Sequence, residues 1–548
     1  MFRATVSALL AAVIATTIVP SGYCLDGGTL QVNPRNGWRA FEIISIGNNP
    51  ADDGVNWAMP GTFDGLGAWL TDPTTLRILV NHETGDATVS EVNLNLASFQ
   101  TAISNVIGSG TTGGVKFVSS AQQAYDRWSD NGGTSWINTA DISTTSFARF
   151  CSSQSYLPDT FGTGRGFADH IYITGEEVAA GRLFALDLAD RDYYRLSGVT
   201  GSASGGIGGM PSDPWENAAL LDTGETNHFA LLLSPDGGTQ IMKLYIGEKG
   251  KDATGNASNS FLARNGLAYG SYYYLNDTLP TSGTSTDGFF DTTTAGALLS
   301  SKLEDVDTNP NDPTQVVLGD QDSGLFTFDF SLDFSSGSFN AAASSFSITK
   351  PLPHVNGVDG SFGDPDNVDW TAATILNGVS YPNGLIFANE DSTTANGETW
   401  MMRPDGSGLT LIGDTIAISA STETSGVLDI SDLLGYKPGS VLLTTNQGSA
   451  ASMTALINPH AALAGDFNGD GSVDTADYVV WRKGLGVTYT PDDYNVWRAQ
   501  FGQMIGGGSG SSLDQPSQSA VPEPATLLIV FAAAAICFFG RPVRISLP

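Results

Sequence analysis

From residue 25 to residue 458 the chain repeats one construction. A short apolar strand runs into one or two carboxylates, then a turn rich in Gly, Asp, Ser and Asn, then a second strand. LRILVNHETGDATVSEVNLNL, HIYITGEEVAAGRLFALDL, NHFALLLSPDGGTQIMKLYIGEK, TQVVLGDQDSGLFTFDFSL and GLIFANEDSTTANGETWMMRPDGSG all follow it. Little of this region carries the 3.6-residue period of an amphipathic helix, so the expected body is all-β. The spacing between hairpins is irregular, which excludes a clean repeat array. Glu83, Glu176-Glu177, Asp320-Asp322 and Glu390-Asp391 sit where a first strand ends. If the hairpins are blades of a β-propeller, these groups gather around one end of its channel. If they are only turn formers, they stay dispersed.

The charge balance narrows the partners. There are 24 Lys+Arg against 57 Asp+Glu, a formal charge of −33. That excess disfavours nucleic acid and anionic membrane faces, and suits cation binding or life outside the cell. Of three cysteines, Cys24 and Cys537 lie in terminal apolar segments, leaving Cys151 alone. No disulfide framework is expected, and a lone cysteine is ordinarily a small buried hydrophobe. With 41% hydrophobic residues, the body has the means to build a large core.

Met1-Phe2-Arg3, the apolar run from Val6 to Val19 and the SGYC before Leu25 predict a signal peptide over 1–24. Tyr23 argues against the rival, a lipid anchor on Cys24. After a Gly/Ser-rich linker over 503–520 comes VPEPATLLIVFAAAAICFFGRPVR, with an apolar stretch shorter than the ~20 residues that span a bilayer comfortably. A membrane anchor is one reading of 521–548. The order Val521-Pro522-Glu523-Pro524, apolar helix, then Arg541 and Arg544 resembles the PEP-CTERM sorting signal. That resemblance implies export, transient membrane anchoring, cutting by an exosortase-like partner, and delivery to the cell surface or medium.

DFNGDGSVDTADYVVWRKGLG places Asp466, Asn468, Asp470, Ser472, Asp474 and Asp477 at positions 1, 3, 5, 7, 9 and 12 of an EF-hand-type loop, with Gly471 at the sharp turn. The spacing predicts Ca²⁺ binding. Asp477-Tyr478 and Val480-Trp481-Arg482 are echoed by Asp493-Tyr494 and Val496-Trp497-Arg498. The Asp at position 12 and the echoed helix resemble a type I dockerin over 465–502, lacking its second calcium loop. Dockerins imply a cohesin-like partner, and through it polysaccharide degradation. The plainer reading is a calcium-stabilised spacer.

WENAALLDTGETNHFALLLSPDGG, LYIGEK and FLARNGLAYG resemble the PhoX-type alkaline phosphatases. ILVNHET, ITGEEVAAGRLFALDL, KLEDVDTNP, PDNVDW and ANED are similar to further segments of that family in matching order, across roughly residues 77–406. The resemblance implies a β-propeller whose channel holds calcium and iron and hydrolyses phosphate esters. Residue by residue it implies Glu83, Glu176 and Glu177 as catalytic, metal-side carboxylates. Glu216, Glu304, Asp305, Asp366, Glu390 and Asp391 are the further metal ligands it implies. Where the family carries a cysteine beside paired acids, this chain has Gly175, and its sequence leaves open whether Cys151 reaches the metals.

No nucleophile elbow, H-E-x-x-H zinc pair or phosphate loop is present, and no carboxylate spacing singles out a glycosidase pair. The expected architecture is an all-β, propeller-like body over 25–458, a small α-helical calcium-binding module, and a hydrophobic sorting helix. Three functions stay open: a metal-dependent phosphoesterase, a non-catalytic calcium-bound propeller that binds a surface or matrix component, and an accessory protein of polysaccharide degradation.

Overall fold

In the computed structural model the described residues are 30–50, 57–139, 147–203, 205–281, 283–300, 302–353, 355, 358, 360–391, 396–415 and 423–505. The signal peptide over 1–24, the sorting tail over 521–548 and nearly all of the linker lie outside them. Six strands line a central channel: Phe63–Asp72, Phe150–Tyr156, Trp215–Leu221, Leu303–Thr308, Pro365–Trp370 and Thr424–Asp429. Each neighbours the next, and the last returns to the first, so the ring is closed. Each is also the inner strand of an antiparallel blade, numbered 1 to 6 here in chain order. The fold is a six-bladed β-propeller.

The strand composition follows from this geometry. A blade in a propeller is covered on both faces, so its middle strands read as nearly unbroken apolar runs. In HFALLLSP of blade 3, Leu231 and Leu233 face blade 2, whereas Ala230 and Leu232 face blade 4. Among the described residues, six separate hydrophobic clusters fill the gaps between successive blades, one for each gap. Between blades 1 and 2 the filling is aromatic: Phe147 meets Trp128 with ring centroids 4.9 Å apart, and Phe184 stacks on Tyr193 at 4.8 Å.

The N-terminus closes the ring. Arg39–Ser45 pairs with Ser452–Ile457 as the outermost strand of blade 6, and Val32–Pro34 pairs with Thr410–Thr415 in blade 5. The two ends of the body are thus stitched into one sheet, which covers edges that would otherwise stay open. Blades 3 and 4 are also joined, because Ser285–Asp291 bridges Tyr269–Asn276 and Ser345–Pro353.

Beyond the propeller, two helices form at Thr475–Gly484 and Asp493–Gln500. The first is started by a reciprocal capping box between Asp474 and Asp477. Tyr478, Trp481, Tyr494 and Trp497 pack together, with Trp481 and Tyr494 centroids 5.2 Å apart. The echoed residues therefore do form a helical pair. This pair is not held at a distance: Val473 and Trp497 belong to the core between blades 6 and 1. Lys437 donates to the Asp466 carbonyl at 3.1 Å. Among the described residues no helix is long and apolar enough to cross a membrane.

Candidate metal centre at the channel mouth

One backbone device is repeated six times where the channel opens. The residue before each inner strand is Thr62, Arg149, Pro214, Lys302, Asp364 or Glu423. Its carbonyl accepts a hydrogen bond from the N–H just past the second strand, at Glu83, Glu177, Asp236, Gln321, Asp391 and Gln447 respectively, over 2.8 to 3.2 Å. The pairing then slips by a bulge near the start of every inner strand. Such bulges re-aim side chains. Thr62, Arg149 and Asp364 adopt left-handed φ values of 51°, 52° and 42°, a conformation that costs a non-glycine residue energy.

The consequence is a ring of ligating groups in register. The second residue of each inner strand is Asp64, Cys151, Glu216, Glu304, Asp366 and, in blade 6, Ser425, whose hydroxyl donates to Glu423 at 2.8 Å. Around them stand the side chains from the second strands. Three groups have ligand atoms within 4.8 Å of one another: Asp64, Glu83 and Cys151; Cys151, Glu177 and Glu216; Glu216, Glu304 and Asp366. Cys151 and Glu216 are each shared by two groups, so the three form one continuous row.

Burial makes this row electrostatically expensive. Asp64, Glu177, Glu216, Glu304 and Asp366 are all pushed above the usual carboxylate range, first by burial and then by the charges of neighbouring acids, Glu83 and Asp236 among them. Glu216 rises to about 7, although the Ser152 hydroxyl, 2.5 Å away, lowers it in part; Glu177 rises to about 9. The Cys151 thiol, 3.2 Å from Glu177 Oε2, is raised by burial and then by Glu216 and Glu83. Two cations enter the row. Arg149 Nε donates to Glu83 at 2.7 Å and its Nη2 pairs with Glu177; Lys302 Nζ lies 2.7 Å from Asp236 and 3.0 Å from Glu304. Gln447 Nε2 reaches Asp64, Glu83 and Glu423. Two cations do not balance so many acids, and among the described residues the buried Asp64 Oδ1 has no hydrogen-bond partner. Carboxylate oxygens suit hard cations such as Ca²⁺, and the Cys151 sulfur, once deprotonated, would add a softer donor suited to a transition metal.

The candidate residues read from the sequence separate cleanly by strand alternation, since successive side chains point to opposite faces. Glu83, Glu177, Glu216, Glu304 and Asp366 are brought together. Asp391 stands beside them, held by Gln321 Nε2 at 2.9 Å. The partner residue of each acidic pair turns away. Glu176 lies inside blade 2, ion-paired with Arg182 at 2.6 Å. Glu390 turns into blade 5 and accepts from Gly363 N at 2.7 Å. Asp305 accepts from the Asn217 side chain and from Val368 N at 3.0 Å, pinning blades 3, 4 and 5 together.

Cys151, whose place the sequence left open, is buried and stands among the convergent acids of the channel mouth. At Gly175 a Cβ would come 2.3 Å from Trp215 Cβ, so no side chain fits there; Cys151 enters from the neighbouring inner strand. Asp64, Asp236, Glu423, Arg149 and Lys302 were not singled out from sequence. For Asp64, Arg149 and Lys302 the signal was the recurring start of five inner strands, TFDG, RFCS, PWEN, KLED and DPDN, in which an apolar or proline residue precedes the convergent side chain; Asp236 and Glu423 lie outside that pattern.

In the 466–477 loop, Asp466 and Asp477 are buried and collect backbone N–H groups. Gly469 and Gly471 donate to Asp466 at 2.7 and 2.8 Å; Phe467 and Asn468 donate to Asp477 at 2.8 and 3.0 Å. Asn468, Asp470 and Asp474 are exposed and Ser472 half-buried. Among the described residues, the tightly convergent groups are those of the channel rather than those of this loop.

Fold and site together define a six-bladed propeller with an acid-and-thiol ring at one end of its channel. No protein-family model matches the sequence, and no curated protein matches it. Among solved structures the chain is similar to Pseudomonas fluorescens PhoX in complex with vanadate, a transition state analogue. The identity is 11%, covering 78% of this chain and 96% of that one, with a TM-score of 0.52. This likeness establishes a PhoX-like fold. A second match, Sqt1 from Chaetomium thermophilum, has 9% identity over 75% and 98% of the two chains and a TM-score of 0.32.

Proposed function

We propose that this protein is an exported, metal-dependent phosphoesterase working at the mouth of its propeller channel. The observation that carries the reading is the continuous row Asp64–Cys151–Glu216–Glu304, built from one register position of successive blades. Calcium and iron bound there would polarise a phosphoryl oxygen and supply a water-derived nucleophile. Glu83, Glu177, Glu216, Glu304 and Asp366 would hold them with Asp64 and Cys151. Ser152 and Asn217 sit one residue deeper: Ser152 orients Glu216, and Asn217 restrains Asp305. The likeness to a fold crystallised with vanadate supports a phosphoryl substrate for this chain. Turnover of an aryl phosphate monoester or diester, with both metals supplied and with chelator, tests the reading; no turnover of either ester refutes it. Elemental analysis separates the rival, since calcium without iron fits a non-catalytic calcium-bound propeller.

The module over 465–502 is proposed as a calcium-stabilised bracket on the last blade. Its packing of Val473 and Trp497 into the propeller core favours this over a freely presented cohesin-binding domain. Calcium is expected to slow hydrogen exchange across residues 466–502 in the full chain, and Asp466→Ala with Asp470→Ala to abolish that protection. Equal protection in the double variant would refute calcium binding by this loop.

Export and surface sorting are proposed from the two terminal segments alone. Deleting 521–548 is expected to shift the protein from the cell surface to the medium or strand it during export, as read in fractionated cells. Unchanged surface retention would refute the sorting role.

A further inference from the structure

We propose that Arg149 and Lys302 form an oxyanion-binding pair at the channel mouth, which seats the phosphoryl group of the substrate. This rests on the reading of the mouth as a phosphoester-hydrolysing metal centre.

Both residues occupy the same register, immediately before an inner strand, in blades 2 and 4. Blade 3 between them carries the uncharged Pro214 at that register. They stand at opposite ends of a connected row. Arg149 pairs with Glu177; Glu177 lies within 4.8 Å of Glu216, and Glu216 within the same distance of Glu304; Glu304 pairs with Lys302.

Their exposure distinguishes them from simple counter-charges. The Arg149 side chain is 49% exposed, against 13% and 9% for its partners Glu83 and Glu177. For Lys302 the figure is 30%, against 1% for Asp236 and 5% for Glu304. The carboxylates therefore anchor each cation from below while its solvent side stays accessible. Arg149 uses Nε and Nη2 in these pairs. A guanidinium presents five donors and an ammonium three, so each retains donors for an incoming anion. A guanidinium fork matches phosphate oxygens in pairs, and lysine serves as a compact point charge beside it. The left-handed backbone at Arg149, φ 52°, is the kind of strain that persists where a side chain must be held in one place.

The opposite arc of the mouth carries Asp364 and Glu423 at the same register. At this register the two basic residues thus lie on the arc of blades 2 to 4 and the acids on the arc of blades 5 and 6. Arg149 and Lys302 are assigned here to binding and orientation; no covalent step is assigned to either.

The test uses the full-length protein loaded with calcium and iron, with inorganic phosphate as the probe in titration calorimetry. Arg149→Gln and Lys302→Gln are each expected to weaken phosphate binding at least about tenfold, as expected for losing a charge-assisted hydrogen bond. Arg149→Lys should recover part of that loss, and metal content should stay at the wild-type level in all three. Where an ester is turned over, KM should rise more than kcat falls. Unchanged phosphate affinity in both glutamine variants, absence of phosphate binding by the wild type, or metal loss in step with affinity would each overturn the proposal. Wild-type phosphate binding with this dependence but without ester turnover would sustain the subsite and defeat the hydrolase reading.

Discussion

Glu216→Gln is expected to strip metal from the channel mouth and lower phosphoesterase turnover by about a hundred- to a thousandfold. Among the described residues, Glu216 is the only carboxylate shared by two of the convergent groups, so one substitution interrupts both. Glutamine keeps the shape and the reach to Ser152 but removes the charge that offsets a multivalent cation. The chelated protein should respond in the opposite sense. Folding raises the Glu216 pKa from 4.5 to about 7, first through burial. The native state therefore binds more protons than the unfolded chain in that window, and stability falls as pH rises through it. Above it, an ionised Glu216 is a cost that the glutamine variant lacks. At pH 8 with chelator, Glu216→Gln should thus melt higher than wild type, and with metals it should melt lower. Glu83→Gln and Glu177→Gln should resemble it in metal loss, and combining them should add little, because groups of one site act as a unit. Glu176→Gln is the contrasting control. It breaks the buried pair with Arg182, should destabilise the fold by about 3–5 kcal/mol, and should leave metal content intact. Equal metal content in Glu216→Gln and wild type would remove the basis of the shared site.

Removal of residues 30–45 from the mature chain is expected to abolish cooperative folding. This segment supplies the outermost strands of blades 5 and 6. It buries Leu30, Val32, Trp38, Phe41, Ile43 and Ile44 against those blades and blade 1. At about 1.5–3 kcal/mol for each large apolar side chain, the loss is about 9–18 kcal/mol, comparable to or above the whole stability of a typical domain. The truncation also bares two strand edges, so aggregation should accompany it. Phe41→Ala is the graded version, expected to cost about 3–5 kcal/mol and lower the melting temperature without opening the ring. A truncated chain that melts cooperatively at the wild-type temperature would show that the N-terminal strands do not close this propeller.

Much of the architecture is written in local patterns. Apolar strands broken by Gly, Asp and Asn turns are incompatible with a helical body, and runs such as HFALLLSP require cover on both faces. The echoed DYVVWR and DYNVWR segments required two similar amphipathic helices, because the period of their apolar residues is local. The site was legible only as a set of acids near strand ends. Which member of Glu176-Glu177, Glu304-Asp305 or Glu390-Asp391 enters the channel depends on pleat and bulge, and a shift of one residue exchanges the faces. That decision belongs to the pairing of each inner strand with its neighbour, which local composition does not encode. Cys151 shows the same division. In sequence it lies 24 residues before Gly175, and only the RFCS start that it shares with the other inner strands marks it. In the folded ring its strand lies against the one carrying Glu177, Trp215 excludes any side chain at Gly175, and the thiol is left as the bridge between two groups of acids. Closure of the ring was equally tertiary, because residues 39–45 meet residues 452–457 only when six blades of the right twist have used up the circle. Local propensity chose strands and helices; the register of long-range pairing chose which carboxylates converge at the channel mouth.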